Sequence, residues 1–153
     1  MLNLSLLRMK VIFHYQPGPG MTQCLSCIPG KYQSQVQQFE CKICDVGTAS
    51  SVVARETSCD DCSTGQHQPD PGMTQCLSCI PGKYQSQVKQ PKCLECGINL
   101  YADQPSSSTC MSCATGTYTN RTGSASCVEC GAGSFGVGCK ACPTGWSRSA
   151  ESE

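Results

Sequence analysis

The hydrophobic positions of this chain are few, and they follow no helical period. Leu, Ile, Val and Phe number 24 in 153 residues, and only 17 of them lie within residues 16–153. Gly, Pro, Ser, Thr, Gln and Asn fill the stretches between the cysteines, so no amphipathic helix is predicted. Short strands are predicted around Lys31–Gln35, Lys83–Gln87 and Thr117–Asn120, in two-stranded hairpins that need a covalent staple to persist. The aliphatic content is too small to offset the entropy of ordering a conventional core.

Cysteine is the candidate for that staple. The chain has 16 cysteines, about a tenth of its residues, which is typical of disulfide scaffolds. All of them form C-x-x-C pairs whose starts are spaced 17, 18, 17, 17, 17, 17 and 12 residues apart. We predict that residues 16–153 are tandem repeats, the last one truncated, and that residues 1–15 are a non-repeat segment. The repeats begin near Cys24, Cys41, Cys59, Cys76, Cys93, Cys110, Cys127 and Cys139.

A second signature follows each pair. Glycine stands three residues after the second cysteine in seven repeats, often with an aromatic residue two positions further on, as in Gly82 and Tyr84. In the remaining repeat Asn99 takes the place of glycine. Because asparagine is enriched at positive φ, this exchange predicts a left-handed turn at that position. Ala49 and His67 depart from the aromatic pattern.

The sequence also contains a longer repeated unit. Residues 16–36 and 68–88 are identical except for Gly18 and Asp70, at an offset of 52 residues. We interpret them as copies of a duplicated block of three repeats.

The pattern C-x-x-C-x-x-G-x-[YF], from Cys24 to about Ser149, resembles the ephrin-receptor-like cysteine-rich repeat. That repeat belongs to the growth-factor-receptor type and is similar to the first half of a tumour-necrosis-factor-receptor module. The spacer over residues 131–138 is shorter and closer to an EGF- or laminin-like loop. The resemblance implies a small disulfide-rich fold: an extended rod of tandem repeats with sparse two-stranded hairpins and little or no helix. It also implies an extracellular or cell-surface setting.

Two disulfide connectivities remain open. In a crossed scheme, Cys24 joins Cys41 and Cys27 joins Cys44, then Cys59 joins Cys76 and Cys62 joins Cys79. In a ladder, the second cysteine of each pair joins the first cysteine of the next. The duplicated block contains three repeats, which favours the ladder because every repeat is then equivalent, and the ladder also matches the first bond of the receptor modules. The predicted bonds are Cys27–Cys41, Cys44–Cys59, Cys62–Cys76, Cys79–Cys93, Cys96–Cys110, Cys113–Cys127 and Cys130–Cys139, with Cys24 and Cys142 unpaired.

Zinc is the principal alternative, since paired C-x-x-C motifs have the spacing of thiolate ligands. The basic surface or attached helices usual in zinc modules are not visible. Catalysis is not expected: His14 lies in the N-terminal segment, and His67 is interpreted as a ring in the aromatic slot. Asp60 and Asp61 are interpreted as surface charge, with weak calcium contact as the alternative.

Charge, apolar segments and glycosylation sequons bear on the partners and the location of the chain. Lys+Arg and Asp+Glu both number 11, and there is no basic run for nucleic acid. No apolar stretch approaches the roughly 18 residues of a membrane span, and the first 13 residues are a poor signal peptide. Asn120 begins a candidate glycosylation sequon, and Asn3 begins another.

These observations predict a non-enzymatic extracellular spacer, adhesive segment or ligand-binding stalk. We expect it to be part of a larger receptor-like or matrix protein, to use no cofactor, and to bind an unidentified protein or glycan.

Overall fold

In a computed structural model, which describes residues 14–15, 18 and 24–146, the chain is an array of short antiparallel hairpins. The described residues form two-residue strands and no helix. In chain order the strands are β1 His14–Tyr15, β2 Leu25–Ser26, β3 Lys31–Tyr32, β4 Lys42–Ile43, β5 Thr48–Ala49, β6 Asp60–Asp61, β7 Gln66–His67, β8 Leu77–Ser78, β9 Lys83–Tyr84, β10 Leu94–Glu95, β11 Leu100–Tyr101, β12 Met111–Ser112, β13 Thr117–Tyr118, β14 Val128–Glu129, β15 Ser134–Phe135 and β16 Lys140–Ala141.

Each hairpin is built from the two signatures of the repeat. Its second strand is the pair of residues inside a C-x-x-C motif, and from β3 onward its first strand follows the turn residue of the preceding repeat. In the hairpin of β9 and β10, Tyr84 lies opposite Leu94 and Lys83 lies opposite Glu95. The strands are shorter than predicted because only two residues separate the cysteines of a pair. The small disulfide-rich fold with two-stranded hairpins is confirmed.

The turn before each first strand is left-handed, as predicted. Gly82 has φ 87° and Asn99 has φ 62°. Their carbonyls accept hydrogen bonds from the N–H groups of Cys96 and Cys113, at 2.9 and 3.0 Å. The turn therefore fixes the buried cysteine of the next pair, and asparagine serves this purpose because it tolerates a left-handed backbone.

The first hairpin uses residues on the N-terminal side of the predicted boundary at residue 16. Tyr15 lies opposite Leu25, in the register that Tyr32 has with Lys42. The boundary itself and the truncation of the last repeat stay predictions. The sequence interpreted as a poor signal peptide lies outside the described residues, and so does the sequon at Asn3.

Backbone hydrogen bonds connect each repeat to the next. In the six turns from Gly30 to Gly116, the N–H of the turn residue donates to a carbonyl 20 or 21 positions later, as Gly82 does to Ala102 at 2.7 Å. The residue three positions after the turn donates to a carbonyl 22 or 23 positions later, as Gln85 does to Ser107 at 3.1 Å. Because these bonds recur along the array, the hairpins form one continuous solenoid and not independent beads.

A second left-handed position lies in the spacer, seven residues after the turn. It is occupied by residues of different types: Gln37, Ala54, Gly72, Lys89, Ser106 and Gly123. The last five donate their N–H groups to the carbonyl of a second cysteine 27 or 28 residues earlier, as Gly123 does to Cys96 at 2.8 Å. This position therefore attaches each spacer to an earlier repeat.

The backbone at this second left-handed position also lies close to the turn glycines of more distant repeats. A Cβ added to Gly82 would lie 2.1 Å from the carbonyl oxygen of Gly123, and one on Gly65 would lie 2.0 Å from that of Ser106. These contacts join residues 41 positions apart, so the array coils back on itself. Glycine at these turns is therefore required by close backbone approach as well as by φ.

The core contains sulfur and small or amide side chains instead of aliphatic ones. The second cysteine of every bridged pair is at most 7% exposed, whereas Leu77, Leu94, Met111 and Val128 are between 42 and 54% exposed. A second set of buried residues lies three residues after the turn: Gln33, Ser50, Gln68, Gln85, Ala102 and Thr119. Thr48, Ala49 and Cys59 are buried as well. The scarcity of aliphatic residues in the sequence therefore corresponds to a core that does not use them.

The short spacer over residues 131–138 keeps the pattern of the other repeats. It forms the hairpin of β15 and β16, in which Phe135 lies opposite Lys140. The N–H of Cys142 donates to the carbonyl of Gly133 at 2.7 Å, as the second cysteines of other repeats do. The shorter loop is thus accommodated without a change of hairpin.

Candidate functional site

The disulfides are the chemical feature that all repeats share. The structure brings together the partners of the ladder: Cys27–Cys41, Cys44–Cys59, Cys62–Cys76, Cys79–Cys93, Cys96–Cys110, Cys113–Cys127 and Cys130–Cys139. Their Cα–Cα distances lie between 5.2 and 5.8 Å, within the normal range for a disulfide. The duplicated cysteines Cys27 and Cys79 therefore have equivalent bonds. Peptide mapping of the oxidised chain is the chemical test of this connectivity.

The ladder creates a covalent path that bypasses the spacers. Starting at Cys79, the path crosses a disulfide to Cys93, follows three residues to Cys96, and crosses the next disulfide to Cys110. Each crossing replaces a spacer with a sequence separation of 14, 15 or, at the last rung, 9 residues. Tension applied along the array is therefore carried by the C-x-x-C links and not by the loops.

Two cysteines stand outside the ladder. Cys24 is exposed and Cys142 is half-buried, and both are free thiols. The zinc alternative requires thiolates in pairs, but fourteen of the sixteen cysteines are bonded to each other. In this oxidised form no C-x-x-C motif has more than one free thiol, so none offers the pair of thiolates that such a zinc site requires.

His67 lies beside a disulfide. It is in β7, in the aromatic slot, and its Nδ1 is 3.1 Å from Sγ of Cys93. The ligand atoms of His67, Cys79 and Cys93 all lie within 4.8 Å of one another. Since the two sulfurs are bonded to each other, this group is not a metal site as it stands. The side chain of His14 lies outside the described part of the chain.

The two aspartates inside the Cys59–Cys62 motif are both ion-paired. Asp60 receives two hydrogen bonds from the guanidinium of Arg55, at 2.5 and 2.8 Å, and the hydrogen bonding and positive charge of Arg55 lower the pKa of Asp60. Asp61 Oδ1 is 3.4 Å from Nζ of Lys89 in a later repeat. Their interpretation as surface charge agrees with this arrangement, and calcium would have to displace both cations.

Buried glutamines form a polar clasp that the sequence did not reveal. The side-chain amide of Gln85, 3% exposed, donates to the carbonyl of Lys92 at 2.7 Å. Its side-chain oxygen accepts from the N–H of Gln87 at 3.0 Å. Gln33 and Gln68 make the same pair of bonds in their own spacers. Each clasp satisfies the carbonyl just before a bridged cysteine, so it holds the loop against its disulfide.

One repeat achieves the same result differently. At the position equivalent to Gln85, the spacer after Cys44 has the smaller Ser50, which is 2% exposed. Nε of Arg55 donates to the carbonyl of Ser58 at 2.8 Å, the carbonyl that precedes Cys59. Its Nη1 lies 3.4 Å from the Ser50 hydroxyl. Arg55 therefore replaces the glutamine amide and also makes the ion pair with Asp60.

The candidate glycosylation site is exposed. Asn120 lies in a bend after β13, and its neighbours Arg121 and Thr122 are exposed as well. The Thr122 hydroxyl donates to a carboxylate oxygen of Glu95 at 2.9 Å. Asn120 also lines an open depression of about 230 Å³ on this side of the repeat. Glycosylation of Asn120 stays a prediction.

Comparison with known proteins identifies the repeat type. Residues 70–109 and 101–138 match the family of tyrosine-protein kinase ephrin type A/B receptor-like repeats. No curated protein sequence gives a significant match. The described part of the chain has no helix that is long and apolar enough to cross a membrane. With its seven disulfides in tandem hairpins, this chain is an ephrin-receptor-like cysteine-rich repeat protein. Repeats of this kind are typical of extracellular modules.

Proposed function

We propose that this chain is a non-enzymatic extracellular stalk: a spacer that keeps its length under load within a larger receptor-like or matrix protein. The observation that carries the proposal is the covalent path along the ladder. The distance across the disulfide of Cys79 and Cys93 is 5.7 Å between Cα atoms. Three extended residues add about 10 Å, so each bridged repeat extends to about 16 Å at most. A reduced repeat of the same kind would extend to about 58 Å.

Continuous backbone bonding supports the same role. The turn residue of one repeat donates to the next, and the spacer of a later repeat donates back to the buried cysteine, as Gly123 does to Cys96 at 2.8 Å. Neighbouring repeats consequently share hydrogen bonds instead of being joined by free linkers. Such an array resists bending as well as stretching.

Single-molecule force spectroscopy of the full chain, held at its two ends, tests the proposal. The oxidised chain is expected to lengthen only slightly after the hairpins separate. With a reductant present, each rung that spans 14 residues is expected to release about 42 Å, and the short rung of Cys130 and Cys139 about 25 Å, from an extended length of about 3.4 Å per residue. The chain with both Cys96 and Cys110 changed to alanine is the matched control, since one 42 Å step should then appear without reductant. Steps of this size in the oxidised parent chain would show that the spacers bear the load, and the stalk function would be wrong.

A stalk of this kind also presents side chains to a ligand. The exposed residues Leu94 and Met111 lie opposite Tyr84 and Tyr101, and the next repeat continues the series with Val128 opposite Tyr118. We infer that a protein ligand would bind at these pairs, because exposed apolar side chains beside aromatic ones are favoured contact points. Cell adhesion to surfaces coated with the full chain should weaken with Leu94→Lys and Met111→Lys. Unchanged adhesion would leave the stalk function without this ligand surface.

A further inference from the structure

The duplication supplies a matched pair of disulfides. Cys27–Cys41 and Cys79–Cys93 lie in the nearly identical segments, and each has a sequence separation of 14 residues. In both, the second cysteine of its motif is 0% exposed and its partner is half-buried. Accessibility therefore gives no reason for the two bonds to differ in reactivity.

The pair differs at the aromatic slot. His67 lies opposite Leu77 in β7 and β8, and the equivalent position opposite Leu25 holds Tyr15. Nδ1 of His67 is 3.1 Å from Cys93 Sγ and within 4.8 Å of Cys79 Sγ. An imidazole at this distance stabilises negative charge on sulfur and can deliver a proton to it. Tyrosine has no polar atom at the corresponding ring position, because its single hydroxyl is at the far end of the ring.

We propose that Cys79–Cys93 is the thiol-reactive site of this chain, and that it exchanges with small monothiols of the glutathione class with His67 as the catalytic residue. The incoming thiolate attacks the half-buried Sγ of Cys93, and a bond forms between them. The bond between Cys93 and Cys79 breaks, and Cys79 leaves as a thiolate. The negative charge is shared among three sulfurs in the transition state, and the N–H at Nδ1 of His67 stabilises it.

A second monothiol completes the reduction. Its thiolate attacks the outer sulfur of the mixed disulfide, and Cys93 leaves as a thiolate beside Nδ1 of His67. The two monothiols are oxidised to one disulfide, and the two electrons reduce the cystine to the thiols of Cys79 and Cys93. The two protons that the monothiols lose end on these two cysteines. When only one monothiol reacts, Cys93 retains it as a mixed disulfide.

Charges beside the two bonds also differ and determine the design of the test. Glu40 precedes Cys41, whereas Lys92 precedes Cys93, and a cation beside a cysteine favours its thiolate. A difference in rate between the two bonds of the native chain therefore does not isolate His67. The comparison that isolates it is the rate at one disulfide before and after a substitution in the aromatic slot.

The experiment treats the oxidised full chain with reduced glutathione, stops the reaction by alkylation at intervals, and measures each cysteine by peptide mass spectrometry. His67→Tyr makes the slot equal to that of the other copy. It is expected to slow the opening of Cys79–Cys93 by about three- to tenfold, because the departing thiolate loses the imidazole that stabilises it. The opening of Cys27–Cys41 should stay the same. A histidine that only fills space predicts the opposite sign, since poorer packing exposes the bond to the thiol.

A reciprocal variant keeps the test decisive if His67→Tyr does not fold. Tyr15→His puts histidine at the equivalent position of the other copy, and the opening of Cys27–Cys41 is expected to become about three- to tenfold faster. Unchanged or faster opening of Cys79–Cys93 in a folded His67→Tyr chain would overturn the proposal. So would an unchanged rate at Cys27–Cys41 in Tyr15→His. Neither result would affect the stalk function, which depends on force measured without a thiol.

Discussion

Alanine at Gly82 perturbs the contact between turns of the solenoid. Gly82 has φ 87°, and a Cβ there would lie 2.1 Å from the carbonyl oxygen of Gly123. Gly133 is the matched control, because its φ is 77° but nothing lies within 4 Å of an added Cβ. Both substitutions place alanine in a left-handed backbone, which costs about 1 kcal/mol. Only Gly82→Ala must also move a neighbouring chain.

The additional loss follows from the distances. An ordinary contact needs at least 3.4 Å, so the carbonyl of Gly123 must move by more than 1 Å. The N–H of the same residue donates to the carbonyl of Cys96 at 2.8 Å, and the N–H of Gly82 donates to Ala102 at 2.7 Å. A shift of that size breaks or weakens both bonds. The expected loss beyond that of Gly133→Ala is about 2 kcal/mol in the free energy of unfolding.

Urea unfolding of the oxidised chains measures this difference. With a slope of about 1 kcal/mol per molar urea, the midpoint for Gly82→Ala should lie about 2 M below that for Gly133→Ala. Amide hydrogen exchange at Gly123 should become faster in Gly82→Ala, but not in Gly133→Ala. Equal midpoints for the two variants would show that Gly82 does not pack against Gly123, and the coiling of the array would then be wrong.

Three further predictions concern single side chains. Gln85→Ala should lower the free energy of unfolding by about 1–3 kcal/mol, because it removes the two hydrogen bonds that a buried side chain makes. Alanine at the exposed Gln87 should change the free energy of unfolding by less than about 0.5 kcal/mol, and equal losses in urea would contradict the clasp. Because Arg55 lowers the pKa of Asp60 in the folded chain, the stability from this pair is present above the ordinary aspartate pKa and is lost as pH falls through the lowered value. Asp60→Asn should remove that part of the acid dependence, less than about 1 kcal/mol for an exposed pair, and an unchanged acid limb would contradict the ion pair. Asn120 should carry an N-glycan in a secreting eukaryotic cell, seen as a mass loss after treatment with an N-glycosidase and absent in Asn120→Gln.

The local architecture could be read from the sequence because its determinants are close together along the chain. The glycine and aromatic residue that begin a hairpin and the next C-x-x-C motif that ends it, such as Gly82, Tyr84 and the motif of Cys93 and Cys96, all lie within one repeat length of about 17 residues. Asn99 identified the left-handed turn, since few other residues are stable at φ 62°. The repeat type, the hairpins and the disulfide-rich fold could therefore be predicted from the residues alone.

The clasp and the second left-handed position were not predictable in the same way. The same spacers contain exposed glutamines as well as the buried Gln33, Gln68 and Gln85, and residue type alone does not distinguish the two kinds. At the second left-handed position the residue types share no property. The backbone of Lys89 and that of Ser106 adopt φ 59° because the N–H of each residue donates a hydrogen bond to a cysteine carbonyl of an earlier repeat.

The repeat, the hairpin and the turn follow from residues that are close together along the chain, whereas the coiling of the repeats depends on contacts between distant ones. A hairpin depends on contacts within one spacer, but the approach of Gly82 to Gly123 joins residues 41 positions apart, and the inter-repeat hydrogen bonds span 20 to 28. Those hydrogen bonds join backbone groups, which every residue has. They therefore place almost no requirement on residue type and cannot be recognised in a sequence pattern.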